Sequence, residues 1–335
     1  MSDSKITDEL DPLTRLALKH GTDKWGLHFY TRLYHRLFSG LRDKPIRLLE
    51  IGIGGYVLET SGGASLAMWA DYFPSGQITG IDIVAKRLAL DSRIKLFQGS
   101  QDDPHFLKMV CNERGPFDII IDDGSHVPRH VAASFILLFP HLVDGGTYVM
   151  EDIQTTFWPE FGGSPLHGGD TIKLMRTIID SLNHAELAIV GGSQFSLPFA
   201  KQIRAFSAFH NVFVVEKGDN CEPSNYAYDL GNPHAIDAVR SIEREMADAP
   251  SADGMANLIE LYLKAKNLVR AQQAADRALS LWPASTSALM AAYHAASARR
   301  DTPAKVDYLE RMLQAEPGNA VLHRLLNSAR AELNN

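Results

Sequence analysis

"FDIIIDDGSHVPRH", residues 117–130, decides how this chain is read. Phe117 to Ile121, interrupted once by Asp118, is the apolar run of a strand that belongs in a core. It breaks off in Asp122, Asp123, Gly124, Ser125 and His126. Carboxylates and an imidazole are costly to desolvate, so their place at the tip of such a strand asks for a ligand.

Similar runs lie on either side. "IRLLEIGI" (46–53), "QITGIDI" (77–83), "RIKLFQG" (93–99) and "GTYVMED" (146–152) read as strands. Segments with helical spacing separate them, such as "SLAMWADYF" (65–73) and "HVAASFILLFPHLV" (130–143). Two more helices are expected near 11–20 and 27–40. Repeated strand-helix-strand units predict a parallel sheet with helices on both faces. "QIRAFSAFHN" and "VFVVEKGDN" (202–220) follow each other closely and predict an antiparallel pair closing one edge. The expected fold is α/β, Rossmann-like, with a seven-stranded, mostly parallel sheet.

Composition shifts after "CEPSNYAYDLGNPH" (221–234), and no strand pattern follows. Pro283 and Pro317 lie 34 residues apart and close similar phrases, "ADRALSLWPAS" and "LERMLQAEPGN". A 34-residue period with helix-turn-helix character is the tetratricopeptide signature. Tyr262, Ala271, Ala278 and Pro283 suit that repeat, whereas Lys305 and Met312 stand at small-residue positions of the second copy. The expected division is a domain over 1–228 and an all-α, tetratricopeptide-like domain over 229–335, with a plain helical bundle as the alternative.

The bulk properties exclude several functions. With 45% apolar and 22% charged residues among 335, the chain has ample material for a core. A formal charge of −7 offers no field for nucleic acid or anionic lipid. The cysteines, Cys111 and Cys221, make no disulfide framework and suit a reducing compartment. "MSDSKITDELDP" is not a signal peptide, and no run reaches the roughly 20 apolar residues of a membrane span. A soluble, cytoplasmic protein is expected.

The strand ends carry the chemistry. In an open parallel sheet, ligands collect beyond the carboxyl ends of the strands, where strand order reverses. After the first strand, "EIGIGGY" (50–56) lets backbone turn sharply and come close to a ligand, or makes a tight structural turn. Asp82 ends the second strand, where a carboxylate can accept both hydroxyls of a ribose. The turn lacks the third glycine of G-x-G-x-x-G and the helix is delayed, so a nucleoside without a pyrophosphate fits better. Ser100, Gln101 and Asp102 follow the third strand and either contact a base edge or form a solvated loop.

Asp122 and Asp123 on one strand face Glu151 and Asp152 on the next. Crowded anions raise one another's pKa unless a cation neutralises them. Oxygen ligands without cysteine suit Mg²⁺. Asp123, Glu151 and Asp152 are the expected ligands, with Asp122 nearer the cofactor; a helix cap by Asp123 is the simpler reading of one acid. His126 is the expected general base. The alternatives are a structural histidine and a two-histidine metal site with His130, the latter weakened by Pro128 between them. His28 is assigned no catalytic role. Phe157 and Trp158 either stack on a sugar face or anchor their loop.

Together, "HGTDKWGLHFYTRLYHRLF" (20–38), "LLEIGIGGY" (48–56), "QGSQDD" (98–103), "FDIIIDDGSH" (117–126) and "EDIQTTFWPEFGG" (151–163) resemble class I S-adenosylmethionine-dependent methyltransferases. More narrowly, they resemble the metal-dependent sugar O-methyltransferases of macrolide tailoring, the mycinamicin VI 2''-O-methyltransferase type, over roughly residues 15–220. The resemblance implies that Glu50, Gly52, Tyr56, Ser65, Asp82 and Ser100 lie on the methyl donor, with Gly21 closing over it; Gly54, Gln101 and Asp122 are the further residues expected on the cofactor. It implies Mg²⁺ on Asp123, Glu151 and Asp152, and His126 as base. Members of that type carry a further N-terminal domain, which this chain is expected to lack, and the helical tail is outside their pattern.

The expected activity is Mg²⁺-dependent methyl transfer from S-adenosylmethionine to a sugar hydroxyl of a small-molecule glycoside. Two alternatives stay open: a catechol-like acceptor, or an inactive methyltransferase fold serving as a helical-repeat interaction module. A homo-oligomer is expected, as is a protein partner reached through the helical tail. Nucleic acid and membrane are not expected partners.

Overall fold

The computed structural model describes residues 10–189, 191–224 and 231–333. They divide into two compact units, one reaching Leu187 and resuming over Gly191–Asn220, the other comprising residues 188–189 and the chain from Cys221 onward. The expected boundary at 228/229 lies outside the described residues.

The first unit is built on β1 (Arg47–Ile51), β2 (Gln77–Asp82), β3 (Ile94–Gln98), β4 (Phe117–Asp122), β5 (Leu142–Met150), β6 (Ile203–Phe209) and β7 (Val212–Lys217). They form one seven-stranded sheet in the order β3-β2-β1-β4-β5-β7-β6. The strands from β3 to β5 pair in parallel. The last two do not: β7 runs antiparallel to both β5 and β6, so it is inserted between them. The expected antiparallel pair is present. β5 begins earlier than expected, at Leu142, because "LVDGG" reads as a turn yet continues the strand past a register shift opposite Phe117–Ile119.

Helices cover both faces. α1 (Pro12–His20), α2 (Thr31–Phe38) and α3 (Ala64–Tyr72) lie on one side; α4 (Pro104–Arg114), α5 (Pro128–Leu138) and α6 (Gly169–Leu182) on the other. The two-residue period of β4 explains why both sides are dry. Ile119 and Ile121 pack with Leu66, Trp69 and Tyr72, while Ile120 packs with Phe135, Leu138 and Tyr148. Each fully buried side chain of this size contributes about 1.5–3 kcal/mol, which fixes the register of the strand and hence of its acidic tip.

Asp11 caps α1 by accepting from the amides of Leu13 and Thr14. Asp103 does the same for α4, donor amides coming from His105 and Phe106. A short helix, α7 (His184–Ile189), follows α6.

The second unit is helical: α8 (Pro233–Asp248), α9 (Ala252–Lys264), α10 (Leu268–Leu281), α11 (Thr286–Ala298), α12 (Thr302–Ala315) and α13 (Ala320–Leu333). Alanines 271, 275, 278, 288, 291, 292 and 295 are buried in its core, where small side chains let helix axes approach closely. Among the described residues, no helix is long and apolar enough to cross a membrane.

Candidate active site

The sheet order reverses between β1 and β4, and the tips of these strands are locked by hydrogen bonds that run one residue past each pairing. The Gly52 amide donates to Ile81 O at 2.9 Å, Asp123 to Ile51 O at 3.0 Å, and Glu151 to Asp122 O at 2.9 Å. Backbone pairing therefore places Asp123 and Glu151 side by side. The bend after β1 needs glycine. Gly52 has φ +77°, and a Cβ there would stand 2.1 Å from Asp123 O.

A cavity of about 340 Å³ opens at this reversal. Of the residues expected on a cofactor, Gly52, Asp82, Ser100 and Gln101 line it, joined by Gly124, Ser125 and His130. Asp82 accepts from the amides of Ile53 (3.3 Å) and Val84 (2.8 Å), pinning the turns beyond β1 and β2. Gln101 is the keystone of the far wall. Its Nε2 donates to Asp122 Oδ1 at 3.0 Å, and its Oε1 accepts from the Ser125 amide at 2.7 Å.

The other expected cofactor residues lie elsewhere. Asp122 points into the core, where Ser134, Gln101 and Tyr148 donate to it. Burial pushes its carboxyl up to about 6, against the opposing effect of Ser134. Its place is behind the cavity wall, because the two-residue alternation of β4 turns it inward. Glu50 is fully buried and accepts from Ser65 Oγ at 2.7 Å and Trp69 Nε1 at 3.3 Å. Ser65 is spent on that bond. Gly54 and Tyr56 lie on the exposed turn after β1, with Tyr56 92% exposed and in the left-handed region at φ 47°. Gly21 closes α1 as its left-handed cap.

Three expected residues do come together. One oxygen or nitrogen each from Asp123, His126 and Asp152 lies within 4.8 Å of the other two. His126 Nε2 stands 3.8 Å from Asp123 Oδ1 and 3.7 Å from Asp152 Oδ2. His126 and Asp152 both occupy the left-handed backbone region, at φ 57° and 51°. Non-glycine residues hold that conformation at a cost of order 1–3 kcal/mol, which the surrounding structure must impose. Asp123 caps no helix: α5 starts from Val127 without a side-chain cap. His130 points away from this group, with Nδ1 2.8 Å from Ser125 Oγ and Nε2 3.4 Å from Asp102. The two-histidine site is not assembled.

Glu151 takes a different direction. Both its oxygens accept from Lys24 Nζ, at 2.8 and 2.9 Å, and Tyr34 donates to Oε1. Lys24 also donates to Asp123 Oδ2 at 2.9 Å and lies 3.2 Å from Glu50 Oε1. Burial alone would lower the pKa of this lysine, but Asp123, Glu151 and Glu50 outweigh it and raise it well above the ordinary value. Burial likewise pushes Glu151 and Glu50 upward, opposed in each by Lys24. The Lys24 ammonium thus faces three carboxylates.

Sequence reading missed the whole inner ring. Tyr30 donates to Asp152 Oδ1 at 2.6 Å, and His28 Nδ1, stacked on Tyr30, lies 3.4 Å from the same oxygen. Burial opposes the charge on Asp152, yet Tyr30, His126 and His28 together hold its carboxyl below the usual range. The available signal was the spacing of Tyr30, Tyr34 and Phe38, four residues apart along one helical face, which buries two hydroxyls in need of acceptors.

Beyond the cluster, Phe157 and Trp158 are roughly half exposed, which removes the reading of them as core anchors. Trp158 packs against Phe161 with centroids 6.0 Å apart, and Phe161 meets His126 edge-on at 6.4 Å. An aromatic wall thus adjoins the histidine.

No family model matches the chain. It is 44% identical over 216 residues to the 8-demethyl-8-(2-methoxy-alpha-L-rhamnosyl)-tetracenomycin-C 3'-O-methyltransferase of Streptomyces olivaceus, covering 63% of this chain and 55% of that protein. It is 43% identical over 215 residues to the mycinamicin VI 2''-O-methyltransferase of Micromonospora griseorubida, covering 63% and 53%. Among solved structures, the MycE methyltransferase of the mycinamycin pathway, in complex with Mg, SAH and mycinamycin VI, matches with a TM-score of 0.57 and 41% identity. That match covers 64% of this chain and 56% of the other. The chain spans about half the length of the curated relatives it matches. The first unit has the Rossmann-like methyltransferase fold.

Proposed function

We propose that the chain is an O-methyltransferase that moves a methyl group from S-adenosylmethionine to a sugar hydroxyl of a glycosylated small molecule, with Mg²⁺ at the acid cluster and His126 as general base. The observation that carries this reading is the convergence of Asp123, His126 and Asp152 beside the cavity at the sheet reversal. The likeness to two enzymes named for methylating sugars on natural products supports the choice of acceptor class. The relative solved with Mg and SAH supports the cofactors.

The residues present fit both groups. The Gly52 bend brings bare backbone to the cavity wall, and Asp82 offers carboxylate oxygens where a nucleoside's hydroxyls would approach. Asp123 and Asp152 supply hard oxygen donors for a divalent ion. Glu151 would join them by exchange with Lys24, which now engages both its oxygens. When bound, S-adenosylmethionine supplies the electrophilic methyl group and Mg²⁺ lowers the pKa of a coordinated alcohol. The chain's own part is then to align and to move a proton. His126 takes the acceptor's proton at Nε2, steered by the flanking carboxylates of Asp123 and Asp152. The Trp158–Phe161 wall would orient the acceptor and exclude water on that side.

His126→Ala should leave SAH binding by isothermal titration unchanged while slowing methyl transfer to rhamnosyl glycosides at least about a hundredfold. Normal turnover would remove His126 from the chemistry. Catechols assayed in parallel test the acceptor: preference for the catechol would overturn the sugar assignment.

We also propose that the second unit is built of tetratricopeptide-like repeats. α9, α11 and α13 start at Ala252, Thr286 and Ala320, a constant spacing of 34 residues. The left-handed turns at Lys266 and Arg300 keep the same interval. A chain truncated after residue 298 should lose the Leu289–Leu309–Leu322 packing yet keep α9–α10 helicity, measured by circular dichroism. Complete unfolding of the helical unit would favour a single bundle.

A further inference from the structure

The acid cluster already has a cation of its own, and that is the observation with the longest reach. Lys24 belongs to the loop between α1 and α2, yet it is 0% exposed. Its ammonium lies within 3.2 Å of acids from three strand ends: Glu50 on β1, Asp123 beyond β4 and Glu151 beyond β5. Two of these are the carboxylates proposed above to serve a divalent ion. Asp123 is divided, with Oδ2 toward Lys24 and Oδ1 toward His126. Glu151 is wholly committed to Lys24 and Tyr34.

We infer that Lys24 is a built-in competitor of the divalent ion: its ammonium balances the acids when no metal is bound and keeps metal binding weak and exchangeable. The inference rests on the metal reading given above. A doubly charged ion that engages Asp123 and Glu151 must share their oxygens with a fixed positive charge within hydrogen-bond reach of both, or displace it. Like charges at that separation in a site shielded from water repel strongly. Conversely, without the lysine the buried Glu50 and Glu151 and the partly exposed Asp123 would lack compensation, and a bound metal would then stabilise the cluster.

The test is the full chain, wild type against Lys24→Met, titrated calorimetrically with Mn²⁺ in the absence of cofactor and followed by thermal unfolding. Lys24→Met should lower the melting temperature of the metal-free protein. It should bind Mn²⁺ at least tenfold more tightly than wild type and recover more stability from the ion. Lys217→Met is the control, because Lys217 is also buried but donates to the carbonyls of Pro140 and Leu142. It should lower the melting temperature and leave Mn²⁺ affinity unchanged. If Lys24→Met fails to fold, the Lys24→Met/Glu50→Gln pair keeps the cluster's net charge with Asp123 and Glu151 intact, and is titrated instead. Equal or weaker Mn²⁺ binding by the folded variant overturns the inference. Absence of Mn²⁺ binding by the wild type would instead overturn the metal reading itself.

Discussion

Tyr30 donates its hydroxyl hydrogen to Oδ1 of Asp152 over 2.6 Å, leaving Oδ2 turned toward His126 at 3.7 Å. One oxygen of this carboxylate is thus anchored and the other faces the proposed metal site. Hydrogen bonds of this kind to a ligand typically account for ten- to a hundredfold in metal affinity or activity. Tyr30→Phe is expected to weaken Mn²⁺ binding about tenfold and to slow turnover, with SAH affinity unchanged. Calorimetric titrations with each ligand check both halves; a change in SAH affinity alone would mean that Tyr30 serves the other site.

Gln101 ties two strand tips together through Asp122 and the Ser125 amide. Gln101→Leu keeps the volume and removes both bonds, leaving Asp122 to Ser134 and Tyr148 alone and the 124–125 turn unpinned. A buried partner lost in this way costs about 1–3 kcal/mol. SAH affinity should fall about tenfold or more, while Mn²⁺ binding holds. Unaltered SAH binding would show that the turn is fixed by backbone alone.

The Gly52 bend admits no side chain. Gly52→Ala would push a methyl group into the Asp123 carbonyl and hold a φ of +77° that alanine resists. The variant should lose several degrees of melting temperature and bind SAH at least tenfold more weakly. Retention of both properties would mean that β1 and β4 can separate at their tips.

Trp158 stands half exposed on Phe161, and it is Phe161 that meets His126. Trp158→Ala is expected to raise KM for the glycoside about tenfold with kcat within a factor of two, the signature of lost uniform binding. A fall in kcat with KM unchanged would place the indole in the transition state instead.

What the sequence disclosed, and what it withheld, follows from how far each signal reaches. The strands were legible because β4 and its neighbours are short apolar runs that only a two-sided sheet can bury. The acids at 122–123 and 151–152 were legible because charge at a core strand's end is anomalous by itself. The direction of each side chain was not. Asp122 and Asp123 are adjacent in sequence, yet alternation along the strand sends one into the core and the other to the mouth. Lys24 was missed for a different reason. A lysine in "GTDKWG" reads as a solvated loop residue, and nothing local shows that three strand ends converge on it. His28, assigned no catalytic role from the sequence, is likewise placed against Asp152 by tertiary structure. The premise that only a bound metal could reconcile the crowded acids is corrected by Lys24, which does part of that balancing from within the chain.

The most direct measurement is anomalous diffraction from a crystal of the whole chain grown with SAH and Mn²⁺. The expected result is one strong peak at about the 2.1 Å typical of a small hard divalent ion from oxygens of Asp123 and Asp152, with His126 alongside and SAH in the cavity lined by Gly52, Asp82 and Gln101. A peak elsewhere, or none at these carboxylates while SAH occupies its cavity, would contradict the metal-assisted mechanism.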